Sequence, residues 1–183
     1  MDKFRKYNIS FSGLKTGKHE FVFEADEKFF DLFETEREFT KAKIKAEVLL
    51  EKHSTFLDIQ LKSHGTVNLI CDISTEEYKQ EISNEMKILV KFGETYDDSN
   101  EEIITIPFGD SEFNIAQLLY ESVMLAIPMK KISPEVKNHP EYAELLEKFS
   151  PKYEEDTPEA EDEKEVDPRW AALKKLNNNN SDN

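Results

Sequence analysis

At 183 residues the chain has room for one domain of ordinary size and a tail. Its 39 acids against 24 lysines and arginines leave a formal charge of −15. That charge argues against extended binding to a phosphate backbone and favours basic protein partners.

Tyr7-Asn8-Ile9-Ser10-Phe11 alternates as a strand does, Gly13 to Gly17 makes a turn, and His19 to Glu24 is a second strand. Asp26 is placed to cap a short helix over Glu27 to Glu34, which packs through Phe29, Phe30 and Phe33. Three strands are predicted next. Thr40 to Glu51 buries Ala42, Ile44, Ala46, Val48 and Leu50; Thr55 to Ser63 buries Leu57, Ile59 and Leu61; Thr66 to Asp72 buries Val67, Leu69 and Cys71. Lys52-His53-Ser54 and His64-Gly65 are short connections, so these neighbours should pair antiparallel. Tyr78 to Phe92 is a long strand with Glu81, Ser83, Glu85 and Lys87 on its polar face. Gly93 to Glu101 is a polar turn region, and Ile103 to Pro107 a short strand that its proline puts at an edge or end.

Asn114 and Gln117 have capping-box spacing at the head of a helix from Ile115 to Ile127. Apolar residues cover most of its circumference, Leu118, Leu119, Val123 and Leu125 among them, so it is expected to be central and buried. Pro128 ends it. A further short helix is expected over residues 140–149, with Tyr142, Leu145, Leu146 and Phe149 on one side.

The stretch from Ser150 to Asp167 holds nine acids and two lysines and almost no large apolar side chain. It reads as a disordered acidic linker over residues 150–166. A helix signal then returns at Asp167-Pro168-Arg169-Trp170. Asp167 suits the cap and Pro168 the first helical position. Trp170, Leu173 and Leu176 share one side, and Lys174 and Lys175 suit the C-terminal end of the dipole. A helix over 167–176 is too short to hold alone in water, so it needs a surface. Asp167, Pro168, Arg169, Trp170, Leu173 and Leu176 are therefore the candidate partner-binding residues, with Trp170 beside Arg169 as the anchor. The opposite reading, in which Trp170 closes the chain's own core, stays open. Residues 177–183 are a polar, asparagine-rich tail.

Catalytic patterns are not found. The four histidines are scattered, Cys71 is the one cysteine, and five glycines include no phosphate-binding loop. No cofactor and no metal are expected. The lone thiol fits a reducing compartment, and no segment has signal-peptide or membrane-span length, so a soluble cytoplasmic protein is expected. Glu121, inside the apolar helix, is open to three readings: an exposed stripe with Gln117 and Ser122, a buried ion pair, or a catalytic carboxylate.

Seven words spread along the chain carry a resemblance. They are Phe11-Ser12-Gly13-Leu14; Gly17-Lys18-His19-Glu20-Phe21; Gly65-Thr66-Val67 leading to Cys71-Asp72; Val90-Lys91-Phe92-Gly93-Glu94; Asn114-Ile115-Ala116-Gln117 with Tyr120-Glu121; Leu125-Ala126-Ile127-Pro128; and Asp167-Pro168-Arg169-Trp170 to Leu173. In this order the chain resembles the YceD family, whose members are linked to accumulation of large-subunit ribosomal RNA. Relatives often carry a second cysteine near the position of Ser74, and many carry further cysteines or a histidine near Lys130 to Pro134. If those residues bind zinc in relatives, this chain has lost the site.

The expected architecture is an α+β domain over residues 1–149, a mainly antiparallel curved sheet packed on the central helix, followed by the linker and terminal helix. The resemblance implies a non-catalytic factor in large ribosomal subunit assembly or rRNA accumulation. The charge points to a basic ribosomal protein or a large-subunit precursor as its partner. A general protein-binding scaffold with no ribosomal role is the alternative.

Overall fold

The computed structural model describes residues 3–100, 102–142 and 144. The chain divides into two compact units, residues 1–142 and 143–183; the second lies almost wholly outside the described residues.

Five strands form the main sheet: β2 (Gly17–Asp26), β3 (Phe39–Lys52), β4 (Phe56–Ile70), β5 (Glu77–Gly93) and β6 (Ile103–Pro107). They lie in the order β2-β3-β4-β5-β6. The first four pair antiparallel, as the short connections require, while β6 joins β5 in parallel, with Leu89 opposite Ile103. The chain reaches that parallel position through the 94–102 segment, which returns along the outer side of β6 and bridges it antiparallel at Asp97 and Thr105. Pro107 therefore sits on an edge strand, where its missing N–H costs least.

A second, two-stranded sheet pairs β1 (Asn8–Ser10) with β7 (Glu112–Asn114), Ile9 opposite Phe113. The N-terminal strand thus pairs across most of the domain rather than with β2, which follows it in sequence. The Ile115 amide donates to the Tyr7 carbonyl at 3.1 Å, so this small sheet fixes where the main helix starts.

The alternation expected in β3 is observed: Ala42, Ile44, Ala46, Val48 and Leu50 are all buried. The expectation of two strands over 55–63 and 66–72 is corrected. They are one strand, β4, running straight through His64-Gly65. The odd-numbered residues stay on the core side throughout, from Leu57 to Leu69, so no face change marks a turn there. Gly65 has a packing reason instead. A Cβ on it would lie 2.1 Å from the Lys43 carbonyl oxygen and 2.8 Å from Ile44 Cα. The glycine lets β3 cross close where its register shifts between Thr40 and Lys43 and Lys41 takes a φ of 52°. The actual turn comes later, at residues 71–76, closed by Cys71 N–H to Glu76 O and Thr75 N–H to Cys71 O, each at 2.9 Å.

Helix α1 (Glu27–Asp31) is capped as expected, Asp26 accepting from the Phe29 amide at 3.3 Å. It stops at Asp31 rather than Glu34, but Phe29, Phe30 and Phe33 still form one aromatic cluster against Tyr7, Phe39 and Tyr120. Helix α2 (Ala116–Ala126) lies against β4 and β5. It buries Ala116, Leu118, Leu119, Ser122 and Val123 on that side. Its expected all-round burial is corrected: Leu125 is 72% exposed and Gln117 is exposed too. An N-terminal helical turn lacking charge and a largely apolar composition do not require that every apolar residue finds a cover. Ser122, expected on a polar stripe, is fully buried; its hydroxyl meets Ser63 of β4 at 2.7 Å and accepts from Asn84 of β5 at 3.2 Å. Two small side chains let helix and sheet approach closely, and their hydroxyls satisfy each other.

The capping box is likewise corrected. Asn114 Oδ1 accepts from the Ala116 amide at 2.9 Å, but Gln117 turns away from the helix start and donates to Glu121 at 2.7 Å. Ile127 leaves the helix in extended geometry before Pro128. A short helix not anticipated from sequence, α3 (Pro134–Lys137), follows, capped by Ser133 with proline at its start. Of the helix expected over 140–149, residues 140–142 and 144 are helical, while Leu145, Leu146 and Phe149 lie outside the described residues.

Candidate functional site

The predicted partner-binding residues, Asp167, Pro168, Arg169, Trp170, Leu173 and Leu176, all lie outside the described residues. The other words of the resemblance are drawn together by the fold, and most of them have structural work. Lys52, at the end of β3, sends its ammonium to three carbonyls of the Phe11 word: Phe11 at 2.8 Å, Leu14 at 2.9 Å and Ser12 at 3.4 Å. Phe11 itself packs on Phe92, ring centroids 5.7 Å apart, which joins the first word to the one ending in Gly93-Glu94. Asn114 ties the domain's start to its helix by donating to the Phe4 carbonyl at 3.0 Å and to Asn8. Tyr120 stacks on Phe33 at 4.2 Å and shares a 2.8 Å hydrogen bond with Thr35.

The Cys71-Asp72 word meets the stretch after α2. Asp72 N–H donates to the Lys131 carbonyl at 2.7 Å, and Lys131 N–H returns to the Asp72 carboxylate at 2.8 Å. Ser133 N–H points at Cys71 Sγ, 3.4 Å away. Two effects oppose each other at this buried thiol. Donors, Ser74 foremost and then Ser133, bring its pKa down to about 6, while exclusion from water pulls it up. Nearby, the Tyr78 hydroxyl is buried with no hydrogen-bond partner among the described residues, and its pKa is raised by burial first and then by Cys71 and Asp72. Among the described residues no group of three or more His, Cys, Asp or Glu side chains is placed to hold a metal ion.

A further concavity lies between the exposed side of α2 and the segments around β6 and β7. It is a groove of about 820 Å³. Met86, Ile104, Ile106, Phe113 and Leu118 form its apolar floor. Asp98, Asp110, Glu112 and Glu121 stand around it, and among the described residues no lysine or arginine lines it. None of these four carboxylates is in an ion pair among the described residues, where ten other ion pairs occur. Their contacts are neutral: Glu112 accepts from Asn8 at 2.7 Å, Glu121 from Gln117, and Asp98 from the Tyr96 hydroxyl at 3.3 Å. The Tyr96 phenol is raised by burial first and then by Asp98 and Glu121. Glu121, left open among three readings, is half-buried on the groove side and accepts from Gln117; the exposed-stripe reading holds for Gln117 and fails for Ser122, which is buried.

Sequence reasoning missed most of this groove. Tyr96 and Asp98 read as part of a polar turn region, Asp110 and Glu112 carry no signal of their own, and no periodicity links any of the four to α2. Only the parallel placement of β6 and the β1–β7 pairing bring them beside Glu121.

A family model described as large ribosomal RNA subunit accumulation protein YceD matches residues 59–177. The chain belongs to the YceD family. The match takes in β4, β5, α2 and the groove, and it extends over the Asp167-Pro168-Arg169-Trp170 word. Comparison with curated proteins and with solved structures finds no match. The description of the YceD family points to a ribosome-related role. No helix among the described residues is long and apolar enough to cross a membrane.

Proposed function

We propose that this YceD-family protein is a cytoplasmic, non-catalytic factor that supports large ribosomal subunit assembly or the accumulation of its RNA, and that it does so by holding a basic ribosomal protein or a precursor particle. The observation that carries this reading is the family match over residues 59–177. The charge of −15 supports a basic protein partner over naked RNA, because each acidic residue near a phosphate backbone repels it. The segment from Asp167 to Leu176 supplies an aromatic anchor beside an arginine and is proposed to contact that partner. Residues 150–166 then serve as its tether to the domain.

Depletion of the protein tests this. Large subunits should fall relative to small ones, with large-subunit RNA precursors accumulating, and the wild-type chain should restore both. An unaltered subunit profile, with stable association only with non-ribosomal proteins, would favour a general scaffold and sink the proposal.

A further inference from the structure

The geometry points to the groove beside α2 as the docking site for a lysine- or arginine-rich amphipathic segment of a protein partner. This deepens the reading above, on which it rests, by naming the surface that does the holding.

Three observations carry it. The groove is lined largely by apolar side chains; most of its floor is buried, but Met86, Tyr120 and Met124 are partly exposed, and Tyr96 at 58% exposure and Leu125 at 72% extend the apolar surface outward. Large apolar side chains grouped around one concavity mark an interaction surface more strongly than the same residues scattered singly. The four carboxylates at its margin have no cationic partner within ion-pairing distance among the described residues. Elsewhere Glu27, Glu34, Glu38, Glu47, Glu77 and Glu85 pair with a lysine or arginine, while others such as Glu20, Glu24, Asp58 and Glu81 do not among the described residues, so the groove is set apart by the grouping of four carboxylates around one concavity. An acidic margin around an apolar floor is complementary to a segment with one apolar side and flanking cations. The margin steers and orients; the floor and Leu125 supply the contact area.

The scale fits a peptide segment. Helix α2 has eleven residues, so the groove along it is about 16 Å long. That length takes roughly ten residues of helix or about five of extended chain. Nucleic acid fits poorly, since its phosphates would face four carboxylates.

Full-length protein tests the assignment with a fluorescent peptide of about fifteen residues built from lysine and leucine at amphipathic helical spacing. Binding should be saturable and should weaken at least about tenfold in the Asp110→Asn, Glu121→Gln pair and in Leu125→Lys. The Glu20→Gln, Glu81→Gln pair makes the same change in net charge on the outer sheet face and should leave affinity unaltered. Thermal melts of every variant check folding, and all the substituted side chains are at least partly exposed. Amide exchange on the wild-type complex should show protection at 96–125, which reads the site without any variant. The assignment is overturned if both acid pairs weaken binding equally, or if a scrambled peptide of equal charge binds as tightly. It is also overturned if a short single-stranded RNA competes for the groove. If Trp170→Ala raises peptide affinity about tenfold, the chain's own 167–176 segment covers the groove and the partner assignment fails. Failure here leaves the ribosomal reading standing if depletion still depresses large subunits; a normal profile after depletion sinks that reading whatever the peptide does.

Discussion

Gly65 shows how one residue can mislead a reading and then explain a structure. In sequence it looks like a connection; in the fold it is the point where β3 presses on β4, its absent Cβ leaving room for the Lys43 carbonyl. Gly65→Ala should therefore cost about 1–3 kcal/mol or more by overpacking against backbone that cannot yield. Gly13→Ala, at a glycine with nothing within 4 Å of a new Cβ, should stay within about 0.5 kcal/mol. Urea midpoints of the two variants decide this, and equal losses would mean the strand crossing is looser than described. Cys71 gives a pH prediction. Its folded pKa of about 6 lies below the ordinary 9.0, so the fold favours the thiolate. That contribution is fully present above the unfolded pKa and is lost as pH falls toward 6. Wild-type stability should accordingly rise between pH 6 and about 8.5 more steeply than that of Cys71→Ser. Parallel pH profiles would show that burial, not the Ser74 and Ser133 donors, governs the thiol.

At the scale of elements, α2 is two-sided where its composition looked uniform. Leu119 and Val123 are fully buried against the sheet, while Leu125 projects from the opposite side. Leu119→Ala should cost about 2–5 kcal/mol through the cavity it leaves. Leu125→Ala and Glu121→Ala should each stay within about 0.5 kcal/mol. Denaturant melts of the three variants check the assignment, and a large loss for Leu125→Ala would place a cover over it. The strand register was easier to read than the helix, because alternation with period two assigns every side chain to a face. Ala42 to Leu50 and Leu57 to Leu69 obey it without a break. An apolar helix offers no such contrast: when nearly every position is apolar, the sequence does not say which side is left bare.

For the whole molecule the question is what the terminal segment does. Truncation after Ser150 should leave the denaturation midpoint unchanged and abolish complementation of a large-subunit defect. A substantial drop in midpoint would instead assign Trp170 to the domain's own packing. The prediction rests on composition: Ser150 to Asp167 holds nine acids and two lysines and almost no large apolar side chain.

The sequence by itself determined the class of fold, the buried face of each long strand, the capped first helix, the edge position of Pro107 and the family. These depend on local spacing and on words read in order. Only the tertiary structure decided that His64-Gly65 lies within one strand, that Asn8 pairs with Asn114, that β6 runs parallel to β5, and that α2 leaves one side uncovered. The groove depends on all the last three. Its four carboxylates come from two loops, strand β7 and one helix, brought together by pairings between residues far apart in the chain, and such pairings follow from burial across the whole domain rather than from any local pattern.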